Sequence, residues 1–158
     1  MAKDEVDEKE QLHKFLKSQK IIVIASNDGD TWVANVYYGV DKKFRLYFLS
    51  EEGTKHSQQI MKNPKIAFSI VWFNKDDPSD RKAVQGQGIC KIAETDEEIK
   101  IGAELYNSLF PQYASKIDVD WVKNNKEGSH IYIIEPTYMK YWDDELYGEE
   151  KTKGFNFD

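Results

Sequence analysis

The sequence predicts an α+β protein built on a closed antiparallel β-barrel, and three observations carry that reading. Short alternating or β-branched runs recur along the chain, separated by brief turns. Helical segments are inserted between hairpins and do not alternate regularly with strands, which disfavours a parallel doubly wound sheet. Aromatic residues are abundant, with 4 Trp, 9 Tyr and 8 Phe in 158 residues, as suits the filled interior of a small barrel.

The elements follow in order. After a short charged lead, Leu12, Phe15 and Leu16 fall at helical spacing within residues 8–19. Residues 21–25 are a β-branched run, and Asn27-Asp-Gly-Asp30 is a strong turn signal. The next strand, 31–40, alternates Trp32, Ala34, Val36 and Tyr38 against Val33, Asn35 and Tyr37. A turn at 41–43 returns a third strand over 44–50, with Phe44, Leu46 and Phe48 on one side, so the three strands read as a meander. Thr54 opens a helix that Pro64 closes, because proline cannot extend it. Residues 65–73 and 81–93 read as strands around a polar loop, 74–80.

Thr95-Asp-Glu-Glu98 is a capping-box pattern opening a helix through Phe110, which Pro111 ends, and residues 117–122 suggest a further short helix. The last strand region, 130–142, contains Pro136, which must sit at a bulge or an edge because it cannot donate to a ladder. We expect one domain over 1–145 and a charged, weakly ordered tail over 146–158, unless that tail packs on a partner.

Composition removes several function classes. The formal charge of -6 argues against general nucleic-acid or anionic-membrane binding. One cysteine, Cys90, permits no internal disulfide, and His13 and His130 have no metal-like spacing to it. No apolar run approaches a membrane span and the N-terminus is charged, so the expected location is cytoplasmic. No Ser-His-Asp or Cys-His order is persuasive, and the acid pairs Glu51-Glu52 and Asp143-Asp144 are adjacent in the manner of solvated surface.

The richest segment runs from Tyr47 to Pro64. A helix's first turn exposes unpaired N–H groups and the positive end of the dipole, where acids or a bound anion belong. Here that turn carries Lys55 and His56 behind the cap Thr54, with Ser50 at the preceding strand end and Gly53 allowing close approach. Such a set suits a phosphate; it also suits an ordinary solvated helix start. Asn35 and Tyr37 share a strand face along which a planar heterocycle could lie, or Asn35 simply faces solvent. Gly86 and Gly88 in Gln85-Gly-Gln-Gly88 leave a side-chain-free track, for packing or for a ligand, with Gln85 on the opposite face.

Taken together, Trp32-Val-Ala-Asn-Val-Tyr-Tyr38, Tyr47-Phe-Leu-Ser50, Gly53-Thr-Lys-His56, Asn63-Pro64 and Val84-Gln-Gly-Gln-Gly88 resemble the pyridoxamine-phosphate-oxidase-like split barrels, in a poorly characterised branch. The resemblance runs from about residue 12 to 142 and implies an α+β antiparallel split β-barrel of about six strands, Greek-key-like, with peripheral helices. It implies FMN as cofactor, its phosphate held by Ser50, Thr54, Lys55 and His56. The isoalloxazine would lie along Ala34, Asn35, Val36 and Tyr37. It also implies a homodimer in which Gln85 and an aromatic, Trp72 or Trp142, reach the cofactor from the other subunit.

The chain departs from authentic pyridoxamine phosphate oxidases at Ala34, at Lys82-Ala83 and in 138–144, where arginines of that family are missing; this points away from vitamin B6 oxidation. The expectation is a flavin-dependent oxidoreductase acting on a small molecule, with a donor such as NAD(P)H and no catalytic side chain identified. Alternatives on the same barrel are a non-catalytic module storing FMN or haem, and a reductase using the deazaflavin F420.

Overall fold

The computed structural model describes residues 2–113 and 116–158, with the side chains of residues 7–112 and 116–158. Helix α1 (Ala2–Ser18) starts ahead of the expected residue 8; Met1 of the charged lead lies outside the described residues. Leu12, Phe15 and Leu16 are buried against the barrel, the stripe that their spacing predicts.

Strands β1 (Ile21–Asn27) and β2 (Thr31–Tyr37) form the expected hairpin, with Gly29 at φ 109° in its turn. The continuous strand expected over 31–40 is broken at Tyr38. Residues Gly39–Val40 form a separate short strand, β3, which pairs with β4 (Leu46–Glu51). The sheet order is β2-β1-β5-β6-β7-β4-β3, so the expected meander is wrong: β2 and β4 are not ladder neighbours, and β4 pairs with β7 instead. Tyr38 is buried, and its hydroxyl donates to the Leu16 carbonyl at 2.5 Å. That anchor bends the chain from one end of the sheet directly to the other. The sheet curls until its two edges meet through the chain and not through a ladder, which makes the barrel split. Phe44, expected in a strand, sits at φ 67° in the turn before β4.

Helix α2 (Lys55–Lys62) is capped by Thr54 and ends at Asn63. Strands β5 (Lys65–Phe73) and β6 (Arg81–Ile92) lie where they were expected. Helix α3 (Asp96–Leu109) begins with the full capping box of Thr95 and Glu98, and a 3-10 turn (Pro111–Tyr113) and α4 (Val119–Asn124) follow. Strand β7 (Ser129–Asp143) carries a bulge where Gln87 pairs with Tyr138 and Gly88 with Pro136, the irregularity that the proline requires.

The tail corrects the expectation of weak order. After α5 (Asp144–Tyr147), strand β8 (Thr152–Asn156) pairs antiparallel with residues 138–142 of β7, and Phe155 enters the core. The described residues thus hold eight strands: the six expected, plus β3 and β8. One core fills the barrel around Ile22, Ile24, Phe48, Phe68, Val84 and Tyr141, while a second lies where α3 covers Tyr47, Ile131 and Ile133. Among the described residues no helix is long and apolar enough to cross a membrane.

Candidate functional site

The middle and the C-terminal end of α2 are fixed by polar ties to the β1–β2 hairpin. Ser26 Oγ donates to Gln59 Oε1 at 2.6 Å, Gln59 Nε2 donates to the Asp30 carbonyl at 2.9 Å, and Asn63 Nδ2 donates to the Asn27 carbonyl at 2.8 Å. Ser26 and Gln59 are buried, so breaking this pair would strand two polar groups in the interior. The helix start therefore has a defined position beside the first residues of β2 and the last of β4.

Three expected site residues come together there. Ser50 Oγ lies 2.8 Å from His56 Nε2, and Thr54 Oγ1 lies 3.3 Å from the same nitrogen. Thr54 Oγ1 also accepts the Ser57 N–H at 3.3 Å and sits 2.8 Å from Ser57 Oγ. Helical geometry leaves the N–H groups of Lys55 and His56 without an intrahelical acceptor. At Gly53 an added β-carbon would meet nothing within 4 Å, so the backbone there is open to approach.

The fourth residue, Lys55, turns aside. Its Nζ pairs with Asp30 Oδ2 at 2.7 Å and lies 4.5 Å from the centroid of the Trp32 ring. The hydrogen bond from Lys55 holds the Asp30 carboxyl below the usual range. Burial pushes the His56 imidazole below its ordinary pKa, so the ring favours its neutral form. The residues fit a phosphate: two hydroxyls and two N–H groups without an intrahelical acceptor meet at a helix start that carries no acid in its first turn, with the Lys55 ammonium alongside, paired to Asp30. Asp30 opposes it, as the one carboxylate paired with Lys55. Sequence reasoning missed Asp30, Trp32 and Ser57 here; Asp30 read only as a turn residue, and nothing local marks a hairpin turn as neighbour to a helix start.

Strand β2 supplies the second half of the site. It is the terminal strand of the sheet order, so its outer edge of backbone groups has no ladder partner among the described residues. Ala34 and Val36 are half-buried toward the core, whereas Asn35 and Tyr37 are exposed on the outer face, and Asn35 has no side-chain hydrogen bond among the described residues. The registers align Asn35, Val23, Ser69, Gln85 and Lys140 in one outer row across β2, β1, β5, β6 and β7. Gln85 therefore shares the face of Asn35 but stands three strands away, about 14 Å at the usual interstrand spacing.

The two tryptophans part company. Trp142 pairs with Ala83 on the outer face; its Nε1 donates to Asp144 Oδ1 at 2.8 Å and Arg81 lies 4.1 Å from its ring centroid. Trp72 points inward and lines a separate cleft of about 430 Å³ with Phe15, Lys82 and Tyr141. The glycine track serves packing: a β-carbon on Gly86 would overlap the Phe68 ring, and one on Gly88 would press on the Glu135 carbonyl at the bulge.

The sequence profile described as pyridoxamine 5'-phosphate oxidase matches residues 8–143. A UPF0306 protein of Yersinia enterocolitica is 32% identical over 60 residues, which is 37% of this chain and 41% of that protein. Among solved structures, a heme binding protein from Mycobacterium smegmatis superposes with TM-score 0.69 at 15% identity, over 88% of this chain and 53% of that one. A putative pyridoxamine 5'-phosphate oxidase from Listeria innocua gives TM-score 0.64 at 15% identity, over 84% and 95% of the two chains. At these identities the structural likeness is one of fold.

Proposed function

Since the chain belongs to the pyridoxamine 5'-phosphate oxidase family, we propose that it is an FMN-binding protein that works as a flavin-dependent oxidoreductase on a small molecule. The observation that carries this reading is the start of α2, where Ser50 and Thr54 both lie within hydrogen-bond reach of His56 Nε2, beside Lys55. Ser50, Thr54 and the free N–H groups would hold the phosphate, and Lys55 would exchange Asp30 for it. The open edge of β2, from Ala34 to Tyr37, would orient the ring. Bound FMN would supply the hydride or electron transfer; the chain's part is to grip, orient and limit water.

A second copy of the chain completes the proposal. Asn35 and Gln85 are too far apart on one face to meet at one ring, and that face exposes Ile21 (46%), Val33 (55%), Tyr37 (46%) and Val71 (65%). A homodimer burying this face would bring Gln85 and Trp142 of one copy toward β2 of the other. Trp72, facing inward, is the weaker of the two aromatic candidates. NAD(P)H is the proposed electron donor.

Haem, which the name of the Mycobacterium smegmatis neighbour brings into view, is less well supported by the histidines. Each directs Nε2 at a protein group: His13 at the Asp41 carbonyl, His56 at Ser50 Oγ and His130 at Glu52 Oε2, all within 2.9 Å. A histidine ligating through Nε2 would have to give up one of these bonds. The deciding experiment is a visible spectrum of the purified protein, followed by titration with FMN, haemin and F420 and by addition of NADPH. Stoichiometric FMN uptake with reduction of the flavin is expected. Haemin or F420 uptake without FMN uptake would overturn the cofactor, and bound flavin that no nicotinamide reduces would make the protein a storage module.

A further inference from the structure

The turn between β3 and β4 is organised by Asp41. Its Oδ1 accepts the N–H groups of Lys43 and Arg45 at 2.8 and 2.9 Å, its Oδ2 accepts Arg45 Nε at 2.7 Å and the Tyr47 hydroxyl at 3.0 Å, and its carbonyl accepts the Phe44 N–H at 3.2 Å. These bonds hold Phe44 in the left-handed region, at φ 67°, where a bulky side chain is rarely found. The consequence is positional. The Phe44 ring stands over α1, edge-on to His13 with centroids 5.3 Å apart and 5.2 Å from the Phe157 ring.

Between this turn and α1 lies a cleft of about 490 Å³, lined by Lys9, His13, Lys14, Lys17, Lys42 and Phe44, with Glu10 as the one acid. None of the four lysines forms an ion pair with a described residue; Lys9 lies 5.6 Å from the Phe157 ring centroid. A chain of net charge -6 thus gathers four ammonium groups, against the single carboxylate of Glu10, around one aromatic floor. Lysine stems add apolar wall below their charged heads, and the volume falls in the range of small-molecule pockets.

We propose that this cleft is a second ligand site, which takes an aromatic compound carrying two or more negative charges, of the size of a nucleoside diphosphate. The aromatic part packs on Phe44 and His13, while the anionic part meets Lys14, Lys17 and Lys42. It shares no residue with the phosphate site at α2, so the two stand or fall separately. Extended polyanions are disfavoured, because the acidic remainder of the molecule repels whatever projects beyond the cleft.

The test is calorimetric titration of the purified full-length protein, saturated with FMN and desalted, with ADP and separately with pyrophosphate. ADP is expected to bind once per chain and about tenfold more tightly than pyrophosphate. The variant Lys14→Gln/Lys17→Gln/Lys42→Gln, altered only at exposed side chains, should lose about tenfold or more in ADP affinity and keep its FMN affinity. Lys55→Ala should do the reverse. Absence of ADP binding at millimolar concentration, undiminished binding by the triple variant, or equal affinity for pyrophosphate each overturns the proposal. So does single-stranded RNA that competes without a one-per-chain limit.

Discussion

Lys55 is the charge on which the phosphate site depends, and in the ligand-free chain it is already engaged by Asp30. Lys55→Ala should weaken FMN binding by about 1.5–3 kcal/mol, the range for hydrogen bonds to charged groups, and nearer the lower figure because the anion must displace Asp30. Quenching of flavin fluorescence measures it, and unchanged affinity would remove the clamp. Asp30→Asn should act the other way and tighten FMN slightly, since both partners of that pair are solvent-exposed.

His56 gives two pH responses of opposite sign. Burial lowers its folded pKa, so the unfolded chain binds the proton more readily. The stability this contributes is whole above the ordinary imidazole value of about 6.5 and is lost as pH falls below it toward the folded value. Urea denaturation of the ligand-free protein at descending pH should show the loss, and His56→Gln should flatten it. A phosphate beside the ring favours the charged form, so FMN binding should take up a proton and tighten as pH falls through the same window. Calorimetry in buffers of different ionisation enthalpy would detect that uptake. Thr54→Ala removes the α2 cap as well as a ligand contact, and the cap alone should cost about 1 kcal/mol of stability.

At the level of elements, Gly86 and β8 are the most exposed to test. Gly86→Ala drives a methyl into the Phe68 ring inside the sheet and should destabilise by about 1–3 kcal/mol, the usual range for overpacking. Phe155→Ala should cost about 3 kcal/mol or more, because Phe155 is buried in the main core; a small cost would mean that β8 is detached in solution. Both are read from denaturation midpoints.

The same elements mark how far the chain is legible. Strand β5 and the capped helices α2 and α3 could be read because period, cap and breaker agree locally. The break at Tyr38 could not, because Tyr37 and Tyr38 continue the alternation of β2 and the turn is imposed by a distant carbonyl at Leu16. Strand β8 was hidden for a different reason: its core contact is the single residue Phe155, set among lysines and Gly154. Within the site, the Ser50–Thr54–His56 group was legible from cap and strand-end positions. The engagement of Lys55 by Asp30 was not, since it arises from packing between a hairpin and a helix.

For the whole molecule the outer face of the sheet is the governing feature. Ile21, Val33, Tyr37 and Val71 lie on it across three strands. If the proposed homodimer forms there, Val71→Lys should shift sedimentation from dimer toward monomer and weaken flavin binding together, because the row containing Gln85 would no longer face β2 of another copy. A monomeric wild-type protein that still binds FMN tightly would separate the cofactor proposal from the dimer.

The unpaired edge of β2 has a last consequence, for handling the protein. Seven residues, Thr31–Tyr37, offer backbone donors and acceptors beside apolar side chains, and such an edge is a template on which another chain can add a strand. Preparations stripped of ligand and warmed should therefore be lost to turbid, β-rich aggregate before their cores melt, with seeding shortening the lag.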